Sequence, residues 1–232
     1  MNWSTLVKVA RFHLADRLSY TALPWGVLAI NFAIYLAIAA SAGRGGSVQI
    51  PSANVAAIYL FFFIAGVLTI GRSLPFAFAL GVGRRSYYAG TALLAVSLAA
   101  VYGLALAVLH VIEQATGGWG VGLHFFRVAY ILPGPWYLTW LTSFVLLDLM
   151  FIYGMWFGLV YRRWNLLGLL AFIAALAIVL VPGVVIASHA HAWPAIGHFF
   201  TTLTAAGLTG LLAALTAVLL AGGYATMRRV TV

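Results

Sequence analysis

The chain has 232 residues, of which 65% are hydrophobic and 6% charged, with a formal net charge of +9 and no cysteine. Soluble domains carry about a quarter charged residues, so this chain cannot cover a water-facing surface, and lipid must solvate most of it. Disulfides and thiolate chemistry are excluded outright. The basic residues stand in ones and twos beside hydrophobic runs, which is the spacing of topology determinants, so no nucleic-acid partner is expected.

Residues 1–20 hold Lys8, Arg11, Asp16 and Arg17, which break up any secretory-signal core. Trp3, Leu6, Val7, Ala10, Leu14 and Leu18 share one helical face, predicting an amphipathic helix on the membrane surface. A spanning helix needs about 20 apolar residues, because each rises about 1.5 Å through a hydrocarbon core about 30 Å thick. Six stretches qualify, at about 22–41, 55–72, 91–112, 136–160, 166–187 and 199–225. Pro24 fits the first turn of the first stretch, where a missing N–H is harmless. The fifth is interrupted by Pro182 and Gly183. Between the second and third lies a segment, 73–90, too polar for lipid exposure. The loop 113–135 is the longest connection, and its aromatic middle, 123–132, is suited to rest on the membrane surface.

The expected fold is therefore all-α and integral to the membrane: one domain over 1–232, six transmembrane helices after the interfacial helix, both termini cytoplasmic. With the N-terminus inside, the inner segments hold Lys8, Arg11, Arg17, Arg72, Arg84, Arg85, Arg162, Arg163, Arg228 and Arg229. The outer segments hold only Arg44 and Arg127, so the positive-inside bias is ten to two. Trp3, Tyr20, Trp25, Trp136, Tyr137, Tyr161, Trp164 and Trp193 stand near span ends, as interfacial anchors do.

Catalytic chemistry is thinly supplied. The acids are Asp16, Glu113 and Asp148, and the sequence has no HExxH, no GxSxG and no GxxxxGK[ST]. An enzyme is not expected. Asp148 falls in the middle of the fourth span, where a bare charge costs roughly 3 kcal/mol or more. It reads as a lining residue of a substrate pathway or a proton site; the alternative is an interhelical hydrogen bond. His189, His191 and His198 cluster before the last span, but without a carboxylate they make a poor zinc set and no metal is expected. His110 and Glu113 form an i,i+3 pair suited to a local hydrogen bond. Small-residue stripes, Gly103–Ala107, Gly154–Gly158 and Gly207–Leu211–Leu215, suit close helix packing within one chain or between copies.

The segment GVGRRSYYAGTALL, 81–94, resembles the cytoplasmic loop of ABC transporter permeases of the type-2 export class, in which a Gly/Ser-x-x-Arg-x-x-aromatic-x-x-Gly pattern opens the third helix. The layout of amphipathic helix, six spans and no nucleotide motif is similar to that family as well. The resemblance covers the whole chain as architecture and about fourteen residues as motif. It implies a permease subunit in the inner membrane of a bacterium, paired with a second permease copy, identical or related, and with ABC ATPase subunits that bind the ATP and Mg. It further implies that 73–90 is the coupling loop, with Gly83, Arg84 and Arg85 docking on the ATPase and Tyr87 and Tyr88 filling an apolar pocket there. The family's longer re-entrant helices in the final outer loop have no counterpart in the short 188–198 segment. Residues alone leave two other readings: an ATP-independent secondary carrier, and a membrane scaffold that recruits a cytoplasmic partner. For Arg84 and Arg85 the positive-inside rule accounts for the charge but not for the neighbouring glycines and aromatic pair.

Overall fold

Hydrocarbon offers backbone N–H and C=O groups no hydrogen bonds, so a chain of this composition must satisfy them within each segment. The computed structural model accordingly shows helices and no strand among the residues it describes, which are 22–41, 56–126, 135–202 and 204–228. The expected interfacial helix over 1–20 lies outside them. Helix α1 spans Leu23–Ser41, α2 Ala56–Leu68, α3 Leu74–Ala79, α4 Arg84–Ala115, α5 Trp136–His189, α6 Trp193–Thr202 and α7 Ala205–Met227. A π-helical stretch, Thr69–Ser73, joins α2 to α3 without a break in the helical run, and a turn with positive φ at Gly118, Trp119, Gly120 and Gly122 follows α4. Five helical runs are long and apolar enough to cross a membrane: Leu23–Ser41, Ala56–Ala79, Arg84–Ala115, Trp136–His189 and Ala205–Met227.

The 54-residue α5 would be about 80 Å long if straight, far more than a bilayer core. It breaks at Asn165, whose φ of 55° and ψ of −158° are non-helical. A Cβ added to Gly168 would collide with Trp164, so the break also needs a glycine one turn on. The first limb, 136–164, carries all the buried residues of α5, whereas the second, 166–189, is almost wholly exposed and apolar. Pro182 lies within the helical run of the second limb and does not end it.

The first limb is the centre of the bundle. In lipid no hydrophobic force draws helices together, so close backbone approach at small residues must do it. A Cβ on Gly154 would strike the Phe63 backbone, one on Gly66 would strike Phe151, and one on Gly158 would lie 2.9 Å from Ile70. Phe62 meets Phe151, Ile70 meets Gly158 and Gly71 meets Arg162, so α2 and the first limb are parallel. Thr142 meets Thr209, and Trp156 meets Thr226, so α7 is parallel to the first limb as well. Helix α4 runs opposite to α2, with Tyr102 against Phe62 and Tyr87 against Thr69. Gly154–Gly158 is thus an intrachain packing seam, as is Gly103, which abuts Phe144. The Gly207–Leu211–Leu215 stripe stays exposed.

Several expected boundaries move. The third helix begins at Arg84 rather than 91, and the segment 73–90 is mostly helical, with only 80–83 between α3 and α4. Trp25, expected at an interface, stacks on Tyr102 at 5.0 Å between ring centroids, well inside the length of α4. Leu123, Phe125 and Phe126 fold into the bundle instead of lying on a membrane surface. The last loop holds a helix of its own, α6, and α7 starts at Ala205.

Candidate functional site

Helix directions bring Arg84 and Arg85, Arg162 and Arg163, and Arg228 to one end of the bundle. Arg84 Nη1 donates to the Arg228 carbonyl at 3.3 Å, tying the start of α4 to the end of α7. Arg163 stacks over the Trp164 ring at 4.3 Å. Arg84 and Arg85 project from a tight turn, Leu80–Gly83, and both are exposed. Gly81 adopts φ 75°, which favours glycine, whereas Gly83 sits at φ −65°, ψ 143° with open space around it.

Tyr87 and Tyr88, which follow Ser86, do the opposite of what the resemblance implies for them. Tyr87 is fully buried and Tyr88 nearly so, and they cannot fill a partner's pocket in this arrangement. Adjacent positions on a helix point about 100° apart, so the pair reaches two different neighbours. The Tyr87 hydroxyl lies 2.7 Å from Ser73 Oγ, and the Thr69 carbonyl oxygen lies 3.1 Å from Tyr87 and 2.5 Å from Ser73. The two hydroxyl protons serve that carbonyl and each other. The Tyr88 hydroxyl donates to the Leu220 carbonyl of α7 at 2.7 Å, and a Cβ on Gly223 would lie 2.6 Å from it.

The same stretch leaves one more carbonyl in need of a donor. Pro75 has no N–H to return to the carbonyl of Gly71, four residues back, and the run passes through this point as a π-helix. Arg162 Nη2 donates to that Gly71 carbonyl at 2.9 Å. The arginine end of the second helical run is therefore held from α4 by Tyr87 and from α5 by Arg162.

Asp148 sits midway along the first limb of α5, 6% exposed. Its Oδ1 has no hydrogen-bond partner among the described residues. Thr139 and Ser143, toward the other end of the same helix, are also buried, with hydroxyls that meet no partner among the described residues, and the Tyr59 hydroxyl lies beside Ser143 without meeting hydrogen-bond geometry. Thr142 pairs with Thr209 of α7 at 2.7 Å.

Glu113 marks the end of the bundle opposite the arginines. Its Oε2 accepts the backbone N–H groups of Phe125 and Phe126, both at 2.8 Å, and Trp119 Nε1 at 3.3 Å. Its Oε1 is 3.9 Å from His124 Nδ1. His110 pairs with Gln114 at 3.0 Å, not with Glu113 as the i,i+3 spacing suggests. Gly118, at φ 80°, lets the chain double back onto Leu123, and Phe32 of α1 packs its ring on Trp119, Phe125 and Phe126. Glu113 is thus the anchor of the loop that follows α4. The sequence signal for it is a lone acid followed by a glycine-rich, aromatic stretch. His189, His191 and His198 are exposed around the turn between α5 and α6, and no group of three metal-ligating side chains comes together among the described residues.

Comparison with known protein families, curated proteins and solved structures yields no match to this chain.

Proposed function

We propose that the chain is the permease subunit of an ATP-driven exporter, with the arginine turn as the face on which a separate ATPase docks. The observation that carries this is the division of labour within Arg84–Tyr88. Arg84 and Arg85 are exposed, and Tyr87 and Tyr88 are fixed to two different helical runs. A force applied at Arg84 and Arg85 is delivered through Tyr87 to the π segment at Thr69–Ser73 and through Tyr88 to α7. A cation pair that served only to orient the chain in the bilayer would need neither anchor. Its acceptors on the partner are acidic side chains or backbone carbonyls.

Six crossings fit this reading. The first limb of α5 and α7 run parallel, so the chain must return between them, and the second limb of 24 residues, about 36 Å, is long enough to do so. The arginine end then faces the cytoplasm, in line with the ten-to-two charge bias. A second copy or relative completes the pathway, ATP and Mg are held by the ATPase, and the membrane is the inner membrane of a bacterium.

The test is purification of the tagged chain from its native host in mild detergent. The wild type should bring down an ATPase. Arg84→Glu with Arg85→Glu should insert and fold normally yet lose it. Retention of the ATPase by the double variant would sink the docking face, and a wild type that purifies alone would favour a secondary carrier.

A further inference from the structure

We propose that Asp148 is a proton-binding site that exchanges its proton with water. The inference stands whether or not an ATPase docks at the arginine turn. Asp148 is buried in the middle of a spanning helix, and its Oδ1 is offered nothing by the described residues. Helices α2, α4 and α7 pack on this limb. Their buried or half-buried titratable side chains are Tyr59, Tyr87, Tyr88, Tyr102, His110 and Tyr224, with Glu113 at the far end, and none of the described cations is among them. The Tyr88 hydroxyl has its own proton committed to the Leu220 carbonyl. The described arginines, Arg84, Arg85, Arg162, Arg163 and Arg228, are all held at one end. A carboxylate in such a place, with no countercharge, is too costly to persist, so a cation must accompany it.

The packing selects which cation. A metal ion needs several converging ligands, and no second His, Asp or Glu joins Asp148 in a group of three among the described residues. An organic amine needs a cavity, whereas the face of α4 toward this limb is close-packed, with Ala95 and Ala99 fully buried and Gly103 against the Phe144 backbone. A proton needs no room. Loading forms the Oδ1–H bond with a proton taken from water or hydronium. Unloading breaks it and returns the proton to water. A hydrogen bond fixed between helices would instead give Oδ1 a partner.

Infrared spectroscopy of the chain reconstituted in lipid nanodiscs tests this. The wild type should show the carbonyl stretch of a protonated carboxylic acid at neutral pH, shifting down in D2O and vanishing as the buffer is made alkaline. The near-isosteric Asp148→Asn should lack that band. Asp148→Glu should restore it at a displaced frequency, which guards against a loss due to misfolding. A wild type without the band, a band that persists in Asp148→Asn, or a band that neither shifts in D2O nor titrates would each overturn the assignment.

Discussion

Arg162 Nη2 donates to the carbonyl of Gly71 at 2.9 Å, and Pro75, four residues on, has no N–H to offer that carbonyl. The two residues are thus energetically linked across helices. Arg162→Ala should lower stability by about 1 kcal/mol, since the site is only half-buried. Pro75→Ala returns an N–H, so Arg162→Ala should cost less in that background. A double-mutant cycle by unfolding in mixed micelles should give a coupling of about 0.5–1 kcal/mol, and strict additivity would show the two to be independent.

The seam between α2 and α5 has no space for a side chain at Gly154. Gly154→Ala should therefore cost more than about 2 kcal/mol, through backbone displacement and lost contacts. Gly26→Ala, with open space around it, should be near neutral. Equal melting temperatures for the two variants would refute the packing described.

The tyrosine anchors predict a graded pair. Tyr88→Phe removes one hydrogen bond to α7 and should cost about 1 kcal/mol; Tyr87→Phe, fully buried and beside two oxygens, should cost about 1–2 kcal/mol. Hydrogen exchange should rise at residues 69–73 in the second variant and at 220–224 in the first. Exchange unchanged in both would remove the mechanical link proposed for the arginine turn.

Glu113 predicts a local effect. Glu113→Ala leaves the Phe125 and Phe126 amides buried without an acceptor, at a cost of about 2–4 kcal/mol, and Glu113→Gln should recover part of it because one oxygen remains. Trp119 fluorescence should shift to the red in Glu113→Ala as the loop loosens. An unshifted spectrum would mean the aromatic packing holds the loop without the carboxylate.

Much of the architecture was legible in advance because the bilayer leaves few options. Apolar length marked the helices, and single arginines marked the end at which Arg84, Arg162 and Arg228 gather. Asp148 was conspicuous because an acid in mid-span has no generic explanation. What the sequence hid depends on which helix meets which. Tyr87 and Tyr88 look like an exposed aromatic pair until α2 and α7 are placed on either side of α4. Trp25 looks like an interfacial anchor until Tyr102 stacks on it. Glu113 looks local to His110, yet its partners are amides 12 and 13 residues further on. The π segment at Thr69–Ser73 leaves no mark except Pro75, and a proline near a span end has several ordinary uses.

The most direct measurement exploits a chain with no cysteine of its own. Gly83 has an ordinary backbone conformation and nothing within 4 Å of an added Cβ, so Gly83→Cys should fold normally. A photocrosslinker attached there, in inside-out membrane vesicles of the native host, should yield a light-dependent adduct with an ABC ATPase. The same probe at Tyr137→Cys, at the opposite end, should yield none. A thiol at position 83 that reacts with an impermeant reagent from outside intact cells, or that crosslinks to no ATPase, would contradict the proposed docking face.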